Sequence, residues 1–136
     1  MCELDITGFI AIEEAADYSA SVAELGPDAG RITWGNAMRR AGEAAPLLDT
    51  ADKLDAFRDH ARGFGAWDDE EIDAWTEAEC EAFLCQMIAG DMREGDITPG
   101  MSEAEWKEYE AGTEAGRHSG RIWRGDDGRV YYYIGD

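Results

Sequence analysis

The chain has 136 residues, 44% of them hydrophobic, with five tryptophans, 31 acids against 12 bases and a formal net charge of −19. That length supports one modest core, and the aromatic content separates the chain from acidic disordered segments, which lack apolar surface to offset the entropy of ordering. A field of this sign repels nucleic acid and bilayer headgroups and attracts basic proteins or cations.

In chain order, residues 3–12 (ELDITGFIAI) read as a strand or as the start of a helix. The alanine-rich run from Ile10 to Glu24 is more helical, with Asp17-Tyr18-Ser19 as its weak point. Gly26-Pro27 is a break, after which Asp28 is placed to cap a helix to about Glu43. Ile32, Ala37, Met38 and Ala41 are its core positions, and Arg31, Arg39 and Arg40 form a basic side able to bridge to acids within the molecule. Leu47 and Leu48 are expected to pack down in the connection that follows. Asp49 or Thr50 opens a third helix with Leu54, Phe57 and Ala61 inward, which Gly63-Phe64-Gly65 ends.

The stretch from Ala66 to Gly95 holds the strongest patterns. Asp68 with Glu71 and Thr76 with Glu79 have capping-box spacing, in which each partner satisfies a free amide of the helix start. These spacings predict a short helix from Asp69 to Trp75 and a longer one from Glu77 to Glu94, stopped by Gly95. On the longer helix Cys80, Phe83, Leu84, Met87 and Ile88 share one side, and the small residues Ala82, Cys85 and Ala89 share another. That layout suits a central helix flanked twice. Ser102 with Glu105 is a third capping box, opening a helix to about Ala115 with Trp106 and Tyr109 inward and Gly116 at its end.

The last segment changes character. Arg121–Arg124 and Arg129–Ile134 flank Gly125-Asp126-Asp127-Gly128, which reads as a β-hairpin. Strand parity puts Val130, Tyr132 and Ile134 on one face and Tyr131 and Tyr133, with Trp123 beside them, on the other. An isolated hairpin is marginal in water, so it lies on the helices or gains a third strand, for which the N-terminal segment is the candidate. The expected fold is one mainly helical α+β domain over residues 1–136, with four or five helices and the C-terminal hairpin.

No motif indicates a catalytic residue, a metal site or a cofactor. His60 and His118 stand in no nucleophile motif and read as surface or locally bonded histidines. Cys80 and Cys85 point to different helix faces, and with Cys2 they form no paired framework. With no leader pattern and no long apolar run, free thiols in a reducing cytoplasm are expected.

The charge is unevenly spread: −7 over residues 1–30, +1 over 31–63, −13 over 64–110 and 0 over 111–136. The candidate contacts for a basic protein are therefore Asp68, Asp69, Glu70, Glu71 and Asp73, and Glu103, Glu105, Glu108 and Glu110. The ordinary alternative for such acids is favourable charge at helix N-termini and a solvated face. Trp123, Tyr131 and Tyr133 are the candidate interface for a homodimer or a partner.

The segments GFGAWDDEEIDAW (Gly63 to Trp75) and GRIWRGDDGRVYYYIG (Gly120 to Gly135) resemble small acidic proteins carried by plasmids and phages. Some of those mimic DNA electrostatically and inhibit restriction or CRISPR enzymes. The −13 block over residues 64–110 motivates the leading expectation, a non-enzymatic acidic interaction module, in its sharpest form a DNA mimic of the kind found among those proteins. The competing classes are an acidic, salt-adapted or dimerising structural protein with no acidic binding site, and a small-ligand enzyme.

Overall fold

The structure, a computed structural model, describes residues 2–12, 38–39, 42 and 45–135. The helix expected from Ile10 to Glu24 lies outside these beyond Ile12, as does most of the one expected from Asp28 to Glu43, with Ile32, Ala37, Ala41, Arg31 and Arg40. Met38 is half-buried and packs against the core.

The N-terminal segment resolves into both of its expected forms. Strand β1 (Cys2–Asp5) runs into helix α1 (Thr7–Ile12), and Asp5 Oδ1 accepts the Thr7 N–H at 3.1 Å. A short carboxylate that takes a free amide two residues on favours this change of direction.

Helix α2 (Ala51–Gly63) starts at Thr50, whose hydroxyl accepts from Lys53 N–H, and buries Phe57, His60 and Ala61. Helix α3 (Asp69–Ala74) ends one residue before the expected Trp75, whose backbone is extended. The predicted capping box at its start does not form. Asp68 makes no side-chain cap bond, and Glu71 is exposed. Both other boxes form, Thr76 with Glu79 on α4 (Glu77–Glu94) and Ser102 with Glu105 on α5 (Glu103–Glu114).

Helix α4 is central. Cys80, Leu84, Ile88 and Met92 are buried along one side, while Ala82, Cys85 and Ala89 are buried on another. Each large apolar side chain taken fully out of water contributes about 1.5–3 kcal/mol before entropy. Gly95 is the cap residue rather than the left-handed stop. The chain reverses at Asp96, with φ of 52°, where Asp96 N–H donates to Arg93 O and Ile97 N–H to Met92 O. This is the double bond pattern that satisfies terminal carbonyls, sealed by an apolar contact from the residue just beyond; Ile97 and Met92 are both buried. A Cβ on Gly95 would stand 2.6 Å from a ring carbon of Tyr109, so this glycine is the notch that seats α5 against α4. Helix α5 ends in the same pattern, with Gly116 at φ 78° and Arg117 N–H donating to Gly112 O.

Strands β2 (Ile122–Arg124) and β3 (Val130–Ile134) form the expected hairpin. The sheet order is β1-β3-β2, antiparallel throughout, with β1 as the third strand. Leu4, Tyr132 and Ile122 lie in one cross-strand row. They are buried beneath the sheet together with Ile134. The Tyr132 hydroxyl donates to Asp91 Oδ2 on α4 at 2.9 Å, pinning sheet to helix. Burial raises the pKa of both groups. The described residues thus form a mainly helical α+β fold with five helices and a three-stranded sheet.

Candidate functional site

All nine acids singled out above are exposed, but they do not act alike. On α3, Asp69 and Asp73 lie one turn apart and face Arg62 of α2, which also holds Asp59 at 2.6 Å. Of the three carboxylates around this guanidinium, Asp69 and Asp73 link α3 to α2 and are thereby engaged. Asp68, Glu70 and Glu71 have no cation within ion-pair distance among the described residues. On α5, Glu105 closes the capping box through Ser102. Glu103, Glu108 and Glu110 are likewise without a cation among the described residues.

The fold divides the acids into two patches. Trp75, directly after α3, stacks on Phe83 with centroids 4.3 Å apart, and Trp67 meets both rings edge-on. That aromatic cluster holds α3 at the N-terminal half of α4. Tyr109 at Gly95 holds α5 at the other end. At 1.5 Å per residue Phe83 and Gly95 stand about 18 Å apart along α4, so the two patches attach at separate points on that helix.

Beside the α5 patch lies a cleft of about 300 Å³ lined by Asp96, Glu105, Glu108, Tyr109, Arg117 and His118. His118 is half-buried and stacks on Tyr109, with centroids 5.2 Å apart. His60 is buried and meets Phe64 edge-on; Phe64 is itself 53% exposed, the largest exposed apolar side chain among the described residues.

The hairpin's outer face follows parity. Trp123 stacks on Tyr131 at 5.8 Å and lies 6.4 Å from Tyr133. All three rings are half-buried. Tyr131 donates its hydroxyl to Asp127 Oδ2 at 2.6 Å. That hydrogen bond raises the pKa of the tyrosine and lowers that of the aspartate.

Glu81 is the functional-looking residue that sequence reasoning missed. It is 7% exposed and accepts the N–H groups of Leu47 at 2.6 Å and Leu48 at 3.1 Å. Burial pushes its carboxyl above the ordinary glutamate range; the two amides pull it back in part, and nearby Asp49 adds to the rise. A signal was present: positions 81, 84, 85 and 88 follow the i, i+3, i+4, i+7 rule of a buried stripe, with a glutamate at its head. Among the described residues no helix is long and apolar enough to cross a membrane, and no three His, Cys, Asp or Glu side chains group to hold a metal ion. Compared with family models, curated proteins and solved structures, the chain matches none.

Proposed function

We propose that the protein is a non-enzymatic acidic interaction module that binds an extended basic protein surface. The observation that carries this reading is that six of the nine candidate acids are exposed without a counter-cation among the described residues, Asp68, Glu70 and Glu71 in one patch and Glu103, Glu108 and Glu110 in the other. Unpaired surface charge of one sign steers association and selects partners of the opposite sign. The spacing suits a partner with two positive patches rather than one pocket. A duplex-binding groove has that character, since duplex DNA carries about one charge per 1.7 Å of axis. The sharper form of the proposal is therefore mimicry of DNA toward nucleic-acid-binding enzymes in the cytoplasm. The outer face of the hairpin is the proposed surface for self-association, because three aromatic rings there remain partly open to solvent.

The test is a competition assay. The protein is titrated into complexes of labelled duplex DNA with restriction and CRISPR nucleases, and separately into a basic probe protein such as a histone. Binding should weaken in D68N/E70Q/E71Q and in E103Q/E108Q/E110Q, vanish when the two sets are combined, and fade as salt shortens the screening length from about 10 Å to about 3 Å. Binding to the histone without displacement of DNA removes mimicry and keeps the module. No binding to any basic protein at low salt overturns the reading.

A further inference from the structure

Among the described residues Glu81 is the only carboxylate that is buried, and no cation there stands within ion-pair distance of it. Its two oxygens each accept one backbone amide, from Leu47 and Leu48. A carboxylate offers about four acceptor positions, so roughly half of its capacity remains. It also lines an open cleft of about 450 Å³ between α4 and the start of α2, walled by Pro46, Leu48, Leu54 and Ala78. Glu77 and Asp49 stand at the same cleft. Asp49 is already engaged by Lys53 at 2.8 Å, which leaves Glu77 and Glu81 as the cleft's carboxylates without a cation among the described residues.

We propose that this cleft binds a primary ammonium group on an aliphatic stem, supplied by a lysine side chain of the basic partner. The ammonium sits against Glu81 and Glu77, and the stem lies on Leu48, Leu54 and Ala78. An apolar cavity with a few converging polar groups is the usual form of a side-chain or small-ligand site. The chemistry selects ammonium over guanidinium. A guanidinium fork needs both oxygens of a carboxylate edge free for parallel bonds, whereas an ammonium is a compact charge with three rotatable donors and fits a carboxylate that is already half-occupied. Burial of the uncompensated Glu81 raises its pKa, and an incoming cation would relieve that burden. The lysine's source rests on the reading above; the ammonium site itself does not.

The experiment is a ¹H–¹⁵N NMR titration of the whole chain with n-butylammonium chloride, with n-butanol and sodium chloride as controls. The expected result is saturable shifts of the Leu47 and Leu48 amides with n-butylammonium alone. Affinity should fall at least about tenfold in E81Q, because one partner of a buried charge pair is gone. A78L, at an exposed position, fills the cleft while leaving Glu81 in place, and should abolish the shifts even if E81Q fails to fold. Shifts that sodium chloride or n-butanol reproduces, or that survive A78L, overturn the proposal. The combined patch variant separates the two proposals, since it should lose basic proteins and keep n-butylammonium. A chain that binds n-butylammonium but no basic protein keeps the ammonium site and refutes the interaction module. One that binds a lysine-rich peptide equally well as A78L keeps the module and refutes the cleft.

Discussion

Two glycines inside helices should respond to alanine with opposite signs. Alanine in a helix interior is favoured over glycine by about 0.8–1 kcal/mol, because glycine gives up more chain entropy. At Gly90 of α4 a new Cβ would meet only an Arg93 nitrogen, 4.0 Å away, so G90A should realise that gain. At Gly112 of α5 the same Cβ would stand 2.6 Å from His118 Cδ2 and 2.8 Å from Nε2. The His118 ring is backed by Tyr109, so it cannot yield without disturbing that stack. Forcing a methyl into a packed site costs about 1–3 kcal/mol, which leaves G112A roughly 0–2 kcal/mol less stable than wild type after the helical gain. Thermal unfolding by circular dichroism resolves this, since 1 kcal/mol shifts the midpoint by about 2–8 °C over this size range. The double variant G112A/H118A should recover stability relative to H118A alone, because the clash has gone; contacting residues show this non-additivity. If G112A is stabilised as much as G90A, the His118–Tyr109 packing assigned to this site is wrong.

Because burial raises the Glu81 carboxyl in the folded chain, the folded state holds that proton to higher pH than the unfolded state. The stability it contributes is fullest below the ordinary glutamate value and is lost as pH rises through the folded value. E81Q, which cannot titrate, should therefore lose more stability relative to wild type at about pH 5 than at about pH 8. Urea unfolding at the two values measures the difference, and the reverse trend would mean that the Leu47 and Leu48 amides outweigh burial. Y131S/Y133S should weaken self-association, read by analytical ultracentrifugation, while costing about 0.2–1 kcal/mol for each lost cross-strand pair. A collapse of the thermal midpoint with unchanged self-association would make these rings part of the core.

What the sequence determined by itself is local. The caps at Thr76 and Ser102, the span of α4 and the hairpin parity all depend on residues within a few positions of one another, and capping bonds and side-chain periodicity operate at that range. The exception is Asp68, where the spacing was right and the side-chain bond did not form. Tertiary structure decided the rest. Arg62 draws Asp69 and Asp73 out of the acidic run because α2 and α3 pack side by side, and α4 separates the other acids into two patches. Gly95 reads in sequence as a helix stop; packing makes it the seat of Tyr109 and makes Gly112 the seat of His118. Glu81 becomes a buried carboxylate only when the chain 33 and 34 residues earlier returns to offer two amides. Partners supplied from such sequence distances leave no local pattern, because each is chosen by how whole elements pack.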